Sequence, residues 1–429
     1  MTTNPIIECE LAVIGKGMAG MASALFAANR GISTVQIGVT GGIIFASGLL
    51  DLLSIHPVEE NRSWKDPWAG IAATVRDIPN HPYARIKRNA MEAAFEEVIQ
   101  FLDRMGLPYT GRNGHNLELM MPLGTTKETY CVPASMAAGI RALKEKDACL
   151  LLDFHGLGDF SATLIRESFG RRWPALRSAR VPFPGHDPLK ELYTGEIMAQ
   201  AMELAGNREK LAQTVKPLLG DARFVGMPAV LGLEKSGKVM ADLKERIGVP
   251  LFEMPTLPVS VPGLRLNHAF AHGLRTKGVK RMAQSRVSRV ETEPERGFVL
   301  GVANHGMQQK VHAQGVILAS GRFWGRGLAA DRHRIRETLF NLPVTQPPHR
   351  SEWHRKDFLA RGGHPVNRSG LEIDPLFRPL NAAGEPAFER LFAAGSILAH
   401  QDWMRMKCGS GIAISTAYAA VDAFSRMRG

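Results

Sequence analysis

Long apolar runs, paired cysteines and, over one stretch, acidic residues are what this sequence lacks. No apolar run approaches the roughly 18 residues that a membrane-spanning helix needs. The opening "MTTNPIIECE" has neither the basic start nor the apolar core of a signal peptide. A cytoplasmic location is therefore expected. Cys9, Cys131, Cys149 and Cys408 are scattered with no C-x-x-C pair, which argues against a zinc knuckle, an iron–sulfur cluster or a dithiol redox centre on this chain. No H-E-x-x-H pattern occurs, so no metal site is expected. Between Glu10 and Asp51 there is no acidic residue at all.

That gap matters because of what fills it. Leu11 to Ile14 is a short apolar run suited to a buried strand, and Gly15, Gly17 and Gly20 follow with the spacing G-x-G-x-x-G. An Ala-rich helical segment then extends through Arg30, and Thr34 to Ile37 supplies a second strand. In this motif the first glycine permits the tight turn and the second lets a phosphate approach the backbone. The third lets the helix pack against the strand. Free N–H groups and the positive end of the helix dipole favour an anion there. The plain alternative is an ordinary strand-to-helix turn. A dinucleotide's adenosine ribose is normally held by an acid about 20 residues on, yet that place holds Gly38. Backbone or Thr40 could substitute, but the gap favours a ligand with one phosphate and no adenosine.

The composition is that of a soluble globular chain, 45% hydrophobic and 22% charged over 429 residues, and its formal charge of +12 suits anionic ligands or partners. "RRWPALRSAR" (Arg171 to Arg180) interleaves arginines with Trp173, but no nucleic-acid module accompanies it, and solvated surface explains it. Met91 to Met105 has helical spacing with Gly106 beyond its end. "TGGIIFASGLLDLLS" reads as a loop entering a helix or strand, and charged helical patterns dominate from Ser135 to Gly248. "LPVSVPG" (Leu257 to Gly263) marks a boundary. Two strands then return, "GVILAS" into "GRFWGRG" and "RLFAAGSI", before "KCGSGIAISTAYAAVDAF" opens a final helix. The expectation is an α/β, Rossmann-like nucleotide-binding fold built from both ends of the chain. Residues 1–124 and 281–429 would form it, with an inserted helical or α+β cap over 125–280.

Taken in order, "VIGKGMAG", "ASGLLDLLS", "MPTLPVSVPGLRL", "LASGRFWGRGL" and "LFAAGSILAHQDWMRMKCGSGIAISTAYAA" resemble the B subunits of anaerobic glycerol-3-phosphate dehydrogenase, which are related to the fumarate reductase type of flavoprotein. The resemblance implies conversion of sn-glycerol 3-phosphate to dihydroxyacetone phosphate. It also implies a flavin-containing A subunit and a membrane-associated iron–sulfur C subunit that passes electrons to quinone, so that this chain meets the membrane only through its partner. It further implies FMN, with FAD as the alternative. The missing acid after Glu10 leads independently to the same cofactor. Relatives in the wider flavoprotein group carry an acid after the C-terminal A-A-G, where this chain has Ser396. No second G-x-G-x-x-G is present, which disfavours direct NADH oxidation.

The residues expected around the flavin are Gly15, Gly17, Met18, Gly20, Gly41, Gly42, Ser47, Gly48, Gly321, Gly395, Ser396, Cys408, Gly409, Ser410 and Gly411. A helix start at Gly409 would favour negative charge on the reduced ring, with Arg405 and Lys407 adding to it; the alternative is a plain packing helix. His268 and His272 stand four apart in "NHAFAH". His268 is a candidate acid–base residue or a structural histidine. In "GLGDFSATL", Ser161 or Asp159 is expected to cap a helix rather than bind a ligand. Two other functions stay open: a free-standing flavin oxidoreductase acting on another small anionic metabolite, and a scaffold that keeps the fold without its cofactor.

Overall fold

The structure, a computed structural model, describes residues 6–39, 41–111, 113–185, 193–293, 296–304 and 306–428. Its chain divides into two compact units. One comprises Met1–Gly42, Asp51–Ile99 and Phe270–Gly429, and the other Ile43–Leu50 and Gln100–Ala269. The divisions at Ile99/Gln100 and Ala269/Phe270 compare with the boundaries at 124 and 280 expected from sequence. Thr40 lies outside the described residues.

The first unit is built on a seven-stranded sheet. Strand β1 (Ile7–Ile14) is fully buried from Leu11 onward, as a strand covered on both faces must be. Its parallel neighbours are β2 (Thr34–Gly38) on one side and the strand Met307–Leu318 on the other. Lys280–Ala283 adds to β2, and Leu391–Ala393 adds to the end of Met307–Leu318, both parallel. The first half of Met307–Leu318 also pairs antiparallel with Gly297–Asn304, which pairs with Arg286–Glu293. Residues from the two ends of the chain thus share one sheet, with register Ile7↔Val311 through Ile14↔Leu318.

Helix α1 (Met18–Asn29) leads back from β1 to β2, and every residue from Ala19 to Ala27 is buried. The last helix, Gly409–Arg426, packs against it. Their contact is closed by Phe26 edge-on to Tyr418 at 5.1 Å and by the Arg30 guanidinium 4.7 Å from the Tyr418 ring. Small residues on both helices allow this close approach. Among the described residues no helix is long and apolar enough to cross a membrane.

The second unit has its own parallel sheet, in the order Leu251–Met254, Phe224–Pro228, Cys149–Phe154, Leu176–Val181. Around it lie helices that include Ala137–Glu145, Ala162–Phe169, Ala205–Val215 and Ser236–Ile247. Helical patterning between Ser135 and Gly248 is therefore only half of what is found. Runs such as "CLLLDF" and "FVGMP" are short and continuously apolar, so periodicity alone does not separate them from buried helix. Arg265 is held inside this unit by Glu253, with Nη1–Oε2 at 2.6 Å and Nη2–Oε1 at 2.9 Å, while its Nε donates to Gly232 O. Leu231 N also donates to that carboxylate, so the buried pair is fully engaged.

Candidate functional site

Three hydrogen bonds knit together the carboxyl ends of the first unit's parallel strands. Gly15 N donates to Ile37 O at 2.8 Å, Ala319 N to Ile14 O at 2.9 Å and Ala394 N to Leu318 O at 2.9 Å. The strand order switches sides at β1, with β2 added on one side and Met307–Leu318 on the other, which is where open α/β sheets form a ligand crevice.

Two of the three fingerprint glycines are required by packing. Gly15 has φ +139°, and a Cβ on it would strike the Ala319 carbonyl; a Cβ on Gly20 would strike the carbonyl of Gly15. Gly17 differs. Its φ is −76° and a Cβ there would meet no atom within 4 Å. Gly17 is also the N-cap of α1, so no side chain caps the helix, and no acid stands in its first turn. The N–H groups of Met18, Ala19 and Gly20 precede the first intrahelical donor, Met21 N, which bonds Gly17 O. An uncapped helix start with open space before it fits the phosphate of a nucleotide-type cofactor. Gly41 lies against this turn, since a Cβ there would run into the Lys16 carbonyl, whereas Gly42 has open space beside it.

The C-terminal segments close the same region. Gly395 has φ +82°; its N–H donates to Thr416 Oγ1 at 2.8 Å, and a Cβ on it would lie 2.6 Å from Ala19 Cβ. Gly321 has φ +69°, with Ser396 Oγ the one atom near its missing Cβ, at 3.6 Å. Arg322, next along, is committed elsewhere. Its Nε donates to Ser396 O at 2.7 Å and Nη2 to Gln401 O at 2.8 Å and Leu398 O at 3.3 Å, while Nη1 donates to Asn367 O. Burial lowers its pKa to about 10. It ties together the segment leading to the last helix rather than presenting charge to a ligand, and all its acceptors are backbone carbonyls.

Gly409–Gly411 start the last helix, with Cys408 as N-cap and no side-chain cap or acid in the first turn. Gly411 N donates to Asp51 O at 2.7 Å, and a Cβ on Gly411 would strike the Tyr83 hydroxyl. A Cβ on Gly409 would stand 3.0 Å from Trp403 Cε3, and Ser410 is half-buried. Cys408 is fully buried. Burial first, then the charges of Asp51 and Asp402, push its thiol well above the usual range against the opposing Arg322, so it stays protonated. Arg405 reaches buried Asp402 at 3.5 Å, and Asp402 also accepts from Asn367 Nδ2 at 3.2 Å. Lys407 is half-buried with φ +50°.

Three expected residues belong to the second unit. Gly48 has φ +83°, and a Cβ there would stand 2.6 Å from Pro262 Cβ; its carbonyl accepts from the Tyr109 hydroxyl at 2.7 Å. The leucines after it, Leu49, Leu50, Leu52 and Leu53, are buried. In place of a helix or strand, this stretch has one 3-10 turn, Gly42–Phe45, and a single bridge from Leu50 to Cys131. Ser47 precedes Gly48 and is half-buried. His268 lies in the helix Val261–Thr276 with a buried Nδ1 that has no partner among the described residues, whereas His272 is exposed. Ser161 caps Ala162–Phe169 by accepting from Leu164 N at 3.2 Å; Asp159 does not cap it.

Sequence reasoning missed Gln36, Arg281 and His81. Gln36 is wholly buried and donates to Gly15 O at 3.2 Å while accepting from Arg281 Nε at 3.1 Å. His81 is buried, accepts from Tyr83 N at 3.2 Å, and is held down to about 3 by burial, then by His56, His400 and Arg368. Nothing in their sequence neighbourhoods marks them.

The FAD binding domain family matches residues 10–412. The B subunit of anaerobic glycerol-3-phosphate dehydrogenase from Yersinia pseudotuberculosis is 28% identical over 418 residues, covering 96% of each chain. The probable B subunit of the same enzyme from Halobacterium salinarum is 32% identical over 429 residues, covering 96% of this chain and 97% of its own. The crystal structure of a 3-ketosteroid delta1-dehydrogenase from Sterolibacterium denitrificans is similar over 98% of this chain and 100% of its own, at 13% identity and a TM-score of 0.47.

Proposed function

This chain belongs to the FAD binding domain flavoproteins and, among them, to the B subunits of anaerobic glycerol-3-phosphate dehydrogenase, and from that premise we propose that it serves a complex converting sn-glycerol 3-phosphate to dihydroxyacetone phosphate. It is a flavin-dependent dehydrogenase subunit, and its flavin in this reading is FMN. The partners are a flavoprotein A subunit and a membrane-associated iron–sulfur C subunit, through which electrons reach quinone and this chain meets the membrane. The observation that carries the cofactor assignment is the uncapped start of α1 next to a β2 that ends in Gly38 without a carboxylate.

The N–H groups of Met18, Ala19 and Gly20 would hold the phosphate, with Gly17 leaving room for it and Gly15, Gly41 and Gly42 shaping the turn. Gly321, Gly395 and Ser396 would line the adjoining crevice. When bound, a flavin takes up a hydride and gives up electrons singly. The start of the helix Gly409–Arg426, reached through Cys408 and running over Ser410 and Gly411 with Lys407 beside it, would supply positive potential where a reduced ring carries negative charge. Relay rather than primary substrate oxidation is supported by how Arg322 is used. It is spent on four carbonyls, so it is not free to clamp a substrate phosphate. The flavin-loaded chain alone should oxidise glycerol 3-phosphate poorly with an artificial acceptor, and adding the A subunit should restore turnover. Full activity from the isolated chain would make it the primary dehydrogenase.

A further inference from the structure

Lys16 stands in the middle of the glycine turn, and its side chain runs across the last residue of β2. A Cβ on Gly38 would lie 2.9 Å from Lys16 Cγ and 3.2 Å from Lys16 N. Position 38 is where a dinucleotide fingerprint extends its carboxylate to the adenosine ribose. In this chain the acid is gone and the space it would need is crossed by a lysine stem.

A second cation sits behind the first. Arg281, on the strand that flanks β2, is linked to the turn through the buried Gln36 amide. Its Nη1 is held by Ala271 O at 3.1 Å. Arg281 acts electrostatically on Lys16, and Arg275 acts in turn on Arg281. Among the described residues neither Lys16 nor Arg281 has a carboxylate within ion-pair distance, and both are half-buried. Burial and like charge both lower the pKa of Lys16, which is the signature of cations assembled without a counter-ion. A ribose diol needs an acceptor, and this corner offers donors. A terminal phosphate monoester, by contrast, brings nearly two negative charges and three acceptor oxygens.

We propose that Lys16, backed by Arg281, is the specificity-determining residue of the cofactor site, neutralising a terminal phosphate monoester and thereby selecting a mononucleotide flavin over a dinucleotide one. This rests on the reading of the cofactor as FMN. In FAD the corresponding phosphates carry about one charge each, and the adenosine must continue past this corner.

The test is titration of the deflavinated full chain with FMN and FAD, read by flavin fluorescence, on wild type, Lys16→Met, Lys16→Arg and Lys16→Glu. Lys16→Met should weaken FMN about 10- to 100-fold, the loss of one charge-assisted contact, and leave FAD within about threefold. Lys16→Arg keeps the charge and should hold FMN within about threefold of wild type. Lys16→Glu, which places like charge beside the phosphate, should weaken FMN further than Lys16→Met does. Raising salt should weaken FMN binding more steeply in wild type than in Lys16→Met. Wild-type FMN affinity in Lys16→Met, or equal losses in Lys16→Arg and Lys16→Met, would overturn the role of Lys16 while leaving FMN as the cofactor. A wild-type preference for FAD would instead overturn the FMN reading itself.

Discussion

Replacing Gly17 with valine separates what the glycine turn does for the fold from what it does for the ligand. The backbone at Gly17, φ −76°, suits any L-residue, and a Cβ there meets nothing within 4 Å. The substitution should therefore cost the fold no more than about 1 kcal/mol, the scale of an unfavourable N-cap. The side chain would, however, fill the approach to Met18–Gly20. Losing two hydrogen bonds from helix N–H groups to a charged phosphate removes about 3–6 kcal/mol, or about 10²- to 10⁴-fold in Kd. Gly20→Val is the contrasting variant, because its Cβ would strike the Gly15 carbonyl and the fold itself should fail. The assay pairs flavin fluorescence titration with circular dichroism melts. Gly17→Val should melt close to the wild-type apoprotein while losing flavin. A Gly17→Val protein that binds flavin within about threefold of wild type would refute the phosphate's placement at the start of α1.

Arg322→Met strands four backbone carbonyls that the guanidinium now serves and should destabilise the protein by about 3–5 kcal/mol; a shift below about 1 kcal/mol in urea denaturation would show that water replaces it freely. His81 has a folded pKa of about 3 against 6.5 for an ordinary histidine, so the unfolded chain binds a proton that the folded one refuses. Its contribution is complete above pH 6.5 and is lost as the pH falls toward 3, with a slope approaching about 1.4 kcal/mol per unit. His81→Gln should flatten that part of the stability curve between pH 6 and 4 (about the middle of this window), and an unchanged slope would count against the burial of His81. All four thiols are buried, with Cys9 and Cys149 pushed up to about 12. Native protein should thus resist a thiol-specific reagent at mildly alkaline pH, and rapid labelling before unfolding would contradict this.

The β1–α1–β2 unit was legible because glycine spacing, an apolar strand and an Ala-rich helix agree on one answer. Gly15 and Gly20 are fixed by contacts that their spacing implies. The second unit was less legible, since "CLLLDF" and "LFEM" carry no alternation to mark them as strands, and neighbouring helices supplied the stronger periodic signal. Within the candidate site, Gly395 was readable from its place after an apolar strand. Arg322 was not, because its acceptors are carbonyls 45 to 79 residues away and a carbonyl has no side-chain identity to read. Gly48 was singled out for the ligand, yet its contacts with Pro262 and Tyr109 give it a packing reason of its own. Lys16 fills a variable position of the fingerprint, and only its path over Gly38 gives it meaning.

The central claim, a mononucleotide flavin seated on the uncapped start of α1, is tested most directly by releasing the cofactor from natively purified protein with acid and weighing it. The account predicts FMN at about one per chain, an occupancy that the single glycine turn sets. Stoichiometric FAD would contradict it, and so would a chain that carries no flavin and takes up none on reconstitution.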